Sequence, residues 1–180
     1  MTDEWLMRAV REGDLTRMGV LFERHHRALF DFLYRMTGDR GAAEDLVQDV
    51  FVRMLRYRST YRDDGRFETW MFRIARNVRA DHFRKHSGAT YVPDDDMDWA
   101  SDTPGPAHLL ERARDMARLK RAMQSLRDDR RELIVMVRYQ GMTHEQVGAI
   151  LGVDGGTVKV RFHRAMKELR DAFSRVPEGE

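Results

Sequence analysis

The sequence predicts an all-α protein: two small helical domains joined by a flexible acidic linker, the second domain containing a helix-turn-helix. Three observations carry this reading. Apolar residues recur at three- and four-residue steps through two long blocks, the period of amphipathic helices. No run alternates apolar and polar residues long enough to suggest a sheet. Between the blocks, HSGATYVPDDDMDWASDTPGPAH (His86–His108) loses the helical period and holds Pro93, Pro104, Pro106, two glycines and five aspartates. The expected divisions are a first domain over 1–86, a linker over 87–107 and a second domain over 108–176.

In the first block, Asp3 is the candidate N-cap of a short helix that carries Leu6, Ala9 and Val10 and closes at Gly13. Asp14 opens a longer helix with Leu15, Met18, Leu21, Phe22, Leu29, Phe32, Leu33 and Met36 on its stripe, ended by Gly38. Asp39 caps a third, with Leu46, Val47, Val50, Phe51, Met54 and Leu55 on one face. After the polar loop 58–66, a fourth carries Phe67, Trp70, Met71, Ile74, Val78 and either His82 or Phe83.

The second block opens with a helix bearing Leu109, Leu110, Ala113, Met116, Leu119, Met123 and Leu126. Asp128 is the expected cap of the next, LRDDRRELIVMVRYQG, which stops at Gly141. THEQVGAILGVDGGTVKVRFHRAM (Thr143–Met166) follows as two short helical patterns around Gly152. Each helix is amphipathic and must bury its stripe against another. The twelve methionines fall mostly on those stripes, which fits a plastic helical core better than a metal-binding set.

Composition narrows the function classes. With 42% hydrophobic and 34% charged residues, the 180-residue chain can fold but carries a heavily charged surface. There is no cysteine, which excludes disulfides and thiolate metal sites and suits a reducing compartment. The start, MTDEWLMRAV, places Asp3 and Glu4 where a secretion signal needs positive charge. No apolar run approaches the roughly 18 residues that span a bilayer. A cytoplasmic location without membrane insertion is expected. Net charge is only +2, but it is placed unevenly. Lys and Arg against Asp and Glu count 17 to 14 over 1–86, 1 to 6 over 87–113 and 14 to 10 over 114–180. Two basic ends around an acidic middle point to nucleic acid.

The Thr143–Met166 stretch meets the demands of a DNA-reading helix-turn-helix together. Gly148 is the small residue where the second helix crosses the first, and Gly152 supplies the turn position with positive φ. Val147, Leu151, Val153, Val158 and Phe162 have the spacing to lock the pair. The second helix starts after Asp154, whose carboxylate can cap the turn Gly155-Gly156-Thr157. With Val158, Phe162, Ala165 and Leu169 inward, the outward set is Thr157, Lys159, Val160, Arg161, His163, Arg164 and Lys167. Thr157 and the helix N-terminus can meet a phosphate. Arg161 is placed to fork onto a guanine edge, while Lys159, Arg164 and Lys167 suit phosphates. The competing reading is an inert hairpin with a solvated basic face.

The first block adds two surfaces. AEDLVQDVFVRML (Ala43–Leu55) shows Glu44, Asp45, Gln48, Asp49 and Arg53 outward, an acidic strip suited to a basic protein partner rather than DNA. An ordinary solvated face is the alternative. FETWMFRIARNVRADHFRKH (Phe67–His86) instead presents Arg73, Arg76, Asn77, Arg79, Ala80, Arg84 and Lys85 beside Tyr57, Tyr61, Phe67 and Trp70. Cations with nearby rings fit a melted strand, which needs neutralised phosphates and stacking faces for its bases. Phe67 and Trp70 are equally compatible with a core role.

AEDLVQDVF, then F-x-x-W-x-x-x-I-A-x-N-x-x-x-D, then the linker and the THEQVGAILGVDGGTVKVRFHRA block resemble the extracytoplasmic-function (ECF, group 4) sigma factors of the sigma-70 family. The resemblance covers nearly the whole chain outside the linker. It implies an initiation subunit that binds core RNA polymerase and directs it to promoters, the first domain holding the −10 element and the second the −35 element. It implies that Asp45, Gln48 and Asp49, with Arg53 beside them, grip the clamp coiled coil of the largest polymerase subunit. It assigns Arg76, Asn77 and Asp81, with the loop before Phe67, to the unpaired −10 strand, and Thr157, Lys159, Arg161 and Arg164 to the −35 duplex. The linker matches the segment that threads polymerase channels toward RNA exit. An anti-sigma partner covering both faces is a further implication, as is a monomeric free protein. Three departures stand out: Gly148 where alanine is commoner, Asp154-Gly155-Gly156 in place of a Pro-containing turn, and Val160 where serine is frequent. The second predicts a looser start to the reading helix, and the third a contact to a thymine methyl.

Two rivals have their own signals. A helix-turn-helix regulator that never joins polymerase explains residues 114–174 but leaves both first-block faces idle. An enzyme or metal protein rests on His82 and His86, four apart as in helical metal pairs, without a matching third ligand. Asp94-Asp95-Asp96-Met97-Asp98 lacks the glycine and terminal glutamate of a calcium loop. His25 and His26 split across two helix faces as boundary and surface residues. No nucleophile elbow or phosphate-binding loop is present, so no catalytic residue, metal or cofactor is assigned.

Overall fold

The computed structural model of the chain describes residues 1–63, 65–86 and 109–177. The predicted linker and its acidic run lie outside the described residues. Every regular element among the described residues is helical. The chain divides into two compact units, one built on the first four helices, with which Ala149–Gly152 also group, and one on the remainder of the last four.

The first unit comprises α1 (Asp3–Arg11), α2 (Arg17–Thr37), α3 (Arg40–Arg56), a single 3₁₀ turn (Arg58–Thr60) and α4 (Phe67–His86). Two predicted caps are corrected. Thr2, not Asp3, caps α1, its hydroxyl accepting the Trp5 amide at 3.3 Å. Asp3 is drawn away by Arg24 and His25, each 2.7 Å from one of its oxygens. Asp14 does not open α2 either. Its carboxylate accepts from the Thr16 hydroxyl and from Arg17 at 2.9 Å, and the helix begins only at Arg17. Leu15 thereby falls outside the stripe and is exposed. Gly38 ends α2 at φ 71° and sends its N–H to Tyr34 O, and Asp39 caps α3 through the Ala42 amide at 2.9 Å, as predicted.

Helix α2 packs on α1 and α3, and α3 on α4. Leu29, Phe32, Leu33 and Met36 are sealed in this core, with Phe32 edge-on to Phe72 at 5.4 Å. Such a ring pair adds about 0.5–1.5 kcal/mol beyond its burial. Phe22, predicted inward, sits instead at the rim between His26 and Phe51. Between His82 and Phe83, it is His82 that turns inward.

The second unit comprises α5 (Leu109–Ser125), α6 (Asp128–Ile134) running into a π turn (Val135–Tyr139), α7 (His144–Leu151) and α8 (Gly155–Arg175). The N-cap position of α6 is Arg127, without a side-chain bond, and Asp128 turns to Arg131 at 3.3 Å rather than capping. Met123 of α5, Leu126 just after it, Leu133 to Met136 and Val158, Ala165 and Leu169 of α8 are buried. Ala113, expected on the stripe, is exposed. The Arg118 guanidinium over the Phe173 ring at 4.4 Å ties α5 to α8.

Candidate nucleic-acid interface

The turn between α7 and α8 is built from local bonds that this sequence dictates. Thr143 and Gln146 form a reciprocal capping box at the start of α7: the Thr143 amide donates to Gln146 Oε1 at 2.8 Å and the Gln146 amide to Thr143 Oγ1 at 3.2 Å. Gly152 takes φ 73°, and the Val153 amide returns to the Gly148 carbonyl at 3.0 Å, a Schellman closure. Asp154 then caps α8, accepting the Thr157 amide at 2.8 Å and its hydroxyl at 2.5 Å. These bonds hold the Asp154 carboxyl below its ordinary range, with the Thr157 hydroxyl the leading cause.

The start of α8 is tight, against the looser one expected. A Cβ added at Gly148 would lie 2.6 Å from the Val153 carbonyl oxygen and 3.3 Å from the Gly155 nitrogen. One added at Gly155 would meet Glu145 atoms at 3.1–3.3 Å. Two glycines therefore face the crossing from both helices, and at Gly148 the backbones approach closer than an alanine permits.

The outward set of α8 emerges as predicted. Lys159, Val160, Arg161, His163, Arg164 and Lys167 are exposed, and Thr157 is half-buried. Among the described residues none of the four cations has a carboxylate within ion-pair distance, whereas the neighbouring Glu168 is held by Arg130 at 3.4 Å. The face is an uncompensated basic surface with an apolar spot, Val160, 52% exposed at its centre. Thr157 differs from expectation: its hydroxyl proton is committed to Asp154, leaving it an acceptor, and the capping carboxylate sits where a phosphate would approach the helix end.

On α3, Glu44, Asp45, Gln48 and Asp49 are all exposed. Glu44 is paired with Arg40 at 3.1 Å, so among the described residues the strip's uncompensated charge is that of Asp45 and Asp49. Arg53 does not belong to this free face. It reaches α4 and pairs with Asp81 at 2.6 Å. Val52, 58% exposed, takes its place on the outer surface one turn beyond Gln48 and Asp49 and two beyond Asp45. Beside Gln48 a groove between α2 and α3 is lined by Phe22, His26, Phe30 and Val47.

The set predicted on and before α4 separates into three groups. Arg73, Asn77, Ala80 and Arg84 form one exposed stripe at four- and three-residue steps, with Lys85 beside it. Arg76 is half-buried and Arg79, expected outward, is buried beneath Phe83 at 5.7 Å. Asp81 is shared by Arg53 and Arg84, whose hydrogen bonds lower its carboxyl below the usual range. The aromatics are corrected. Tyr61 and Phe67 are fully buried and, with the half-buried Trp70, form an edge-on cluster with centroids 5.2–6.4 Å apart. Tyr61 and Phe67 are core rather than stacking platforms, packed on each other and on Trp70, with the His25 ring of α2 at 5.2 Å from Phe67. Burial, aided by Glu4 and Asp63, pushes the Tyr61 phenol up to about 12. Tyr57 is the exposed ring of the group.

A family model for Sigma-70 region 2 matches residues 21–88, and one for Sigma-70, region 4 matches residues 116–169. The ECF RNA polymerase sigma factor SigF of Caulobacter vibrioides is 34% identical over 93% of this chain and 87% of its own length. The chain belongs to the ECF RNA polymerase sigma factors. SigE of Mycolicibacterium smegmatis is 32% identical over 86% of this chain, which spans 61% of that longer protein. The solved structure of CnrH in complex with the cytosolic domain of CnrY aligns with 97% of the chain at a TM-score of 0.73 and 25% identity. This sigma factor is therefore a bacterial initiation factor that directs RNA polymerase to promoters, and a regulator acting apart from polymerase is not favoured. Sigma factors as a family contribute no catalysis of their own. No helix among the described residues is long and apolar enough to cross a membrane.

Several features of this sigma factor escaped the sequence reading. The capping box was written in it as Thr143-x-x-Gln146, a recognisable spacing. Val52 was legible as the next outward position after Asp45 and Asp49. The Arg53–Asp81 strut had no local signal, since it joins residues on different helices. Among the described residues no cluster of three or more metal-ligating side chains occurs; the His82 and His86 rings lie tilted with centroids 4.2 Å apart, and burial with that neighbour lowers the His82 pKa.

Proposed function

We propose that the sigma factor reads −35 duplex DNA with the outer face of α8, captures the melted −10 strand with the Arg73–Asn77–Ala80–Arg84 stripe and Lys85, and holds polymerase through Asp45, Gln48 and Asp49. The observation that carries this is the segregation of charge: an uncompensated basic face on α8, a second cationic stripe on α4 and an uncompensated acidic pair on α3. Asp45 and Asp49 suit the basic clamp coiled coil of the largest polymerase subunit, with Val52 adding apolar contact. Arg161 forks onto a base edge, Val160 meets a thymine methyl, and Lys159, His163, Arg164 and Lys167 lie along phosphates. Arg76 supports the −10 stripe from a half-buried position. Asp81 and Arg53 act as a strut that fixes α4 on α3, rather than as direct contacts.

In this reading the −10 and core-binding domain is residues 1–86 and the −35 domain residues 108–176, with 87–107 running through the polymerase between them. The protein works in the cytoplasm as a monomer when free, held by an anti-sigma partner over the same faces, as CnrY's cytosolic domain is bound to CnrH. The test is binding to core polymerase followed by run-off transcription on genomic fragments. Asp45→Lys with Asp49→Lys, both solvent-exposed, is expected to weaken core binding at least tenfold, about 1.4 kcal/mol, with an unchanged helical spectrum. Unchanged affinity would remove the acidic face from the interface.

A further inference from the structure

Helix α1 lies outside the matched region 2, which begins at residue 21. It nonetheless sends three polar side chains to the stretch leading into α4. Glu4 Oε1 accepts the Phe67 amide, the first of α4, at 3.3 Å. Arg8 pairs with Asp63. Arg11 donates through Nη1 to the Tyr61 carbonyl at 3.1 Å. Glu4, Arg8 and Arg11 stand at i, i+4 and i+7, one face of α1, while Leu6, Met7 and Val10 enter the core. A fourth link comes from the same end: Asp3 holds His25 at 2.7 Å, and the His25 ring lies 5.2 Å from Phe67.

These contacts share one target. Tyr61 and Asp63 belong to a connection with no helical ladder of its own after Thr60, and Phe67 opens the helix that carries the cationic stripe. Apolar burial already seats α1, and a half-exposed ion pair such as Arg8–Asp63 adds little to global stability. What such directed bonds do supply is a single geometry for the backbone they grip.

We infer that α1 is a positioning element for −10 recognition: Glu4, Arg8 and Arg11 pin Tyr61, Asp63 and Phe67 so that the approach to α4 is preset for the unpaired strand. The inference rests on the assignment of the α4 stripe to that strand. Neither Glu4, Arg8 nor Arg11 touches DNA in this scheme.

The experiment uses holoenzyme reconstituted from core polymerase and the full chain, carrying Arg8→Glu, Arg11→Ala or the swapped pair Arg8→Glu with Asp63→Arg. Three quantities are read: binding of a single-stranded −10 oligonucleotide, preference for the intact over a substituted −10 element in run-off transcription, and affinity for core. Arg8→Glu is expected to lower oligonucleotide binding and −10 preference about tenfold, with core affinity held within about twofold. Arg11→Ala acts in the same direction, and the swapped pair regains most of the loss. Asn77→Ala serves as the control for the stripe. If Asn77→Ala loses −10 preference while Arg8→Glu and Arg11→Ala keep it, α1 has no positioning role and the −10 assignment survives. A fall in core affinity parallel to the −10 loss, or no recovery in the swapped pair, reduces the contacts to general folding and overturns the inference. If Asn77→Ala also leaves −10 preference intact, the stripe assignment fails and the role of α1 fails with it.

Discussion

Gly148→Ala tests the helix crossing most directly. The new Cβ would stand 2.6 Å from the Val153 carbonyl oxygen and 3.3 Å from both the Asp154 carbonyl carbon and the Gly155 nitrogen. All three neighbours are backbone, so no rotamer change relieves the contact. Restoring an ordinary separation of 3.4 Å requires the start of α8 to retreat by roughly 0.8 Å. Overpacking of this kind costs about 1–3 kcal/mol. The retreat also strains the Val153–Gly148 hydrogen bond that closes the turn, worth about 1 kcal/mol. Against this, alanine gains about 1 kcal/mol over glycine inside a helix. The net expectation is a loss of about 1–3 kcal/mol centred on the α7–α8 crossing, with weaker binding to upstream duplex because the reading face shifts. Native-state hydrogen exchange on the full chain resolves it, since the amides on either side of the α7–α8 crossing report it residue by residue. Equal or greater protection, with unchanged duplex affinity, would refute the argument that close backbone approach requires glycine here.

Three further outcomes follow from the geometry. Tyr61→Phe removes a buried hydroxyl that has no hydrogen-bond partner among the described residues, and is expected to be neutral or stabilising by about 1 kcal/mol with −10 transcription intact; a transcription defect would show that the hydroxyl meets DNA. Arg161→Ala should relax −35 selectivity more than it lowers non-specific binding, measured as the ratio of promoter to random-duplex affinity, and an equal loss on both would make Arg161 a phosphate contact. The lowered Asp154 pKa means its cap contributes above the unfolded carboxyl value and fades as pH falls through the lower folded value, so Thr157 amide protection should be flat through neutral pH and decline only below about pH 4. Asp154→Asn, which keeps an acceptor oxygen, should remove that acid step; its persistence would assign the step elsewhere.

The sequence by itself determined the helical class, the stripes, Gly38 and Gly152 as turn glycines, the Asp39 and Asp154 caps and the outward set of α8. These are local properties: a 3.6-residue period, a side chain three residues from the amide it caps, a backbone φ that only glycine takes readily. The caps that failed, at Asp3, Asp14 and Asp128, failed because each carboxylate found a basic or hydroxyl partner that competed with the helix end. The candidate site divides the same way. The α8 face is one helix seen from outside, and spacing alone defines it. The −10 set depends on what lies over it. Periodicity cannot tell a ring at a helix start from a stacking platform, and only the meeting of Tyr61, Phe67 and Trp70 with each other and with His25 of α2 made Tyr61 and Phe67 core. Likewise Arg53 reads as a surface cation until α4 brings Asp81 to 2.6 Å. Tertiary structure decided these roles because burial and ion pairing are properties of two elements meeting, and neither element's sequence carries the other's position.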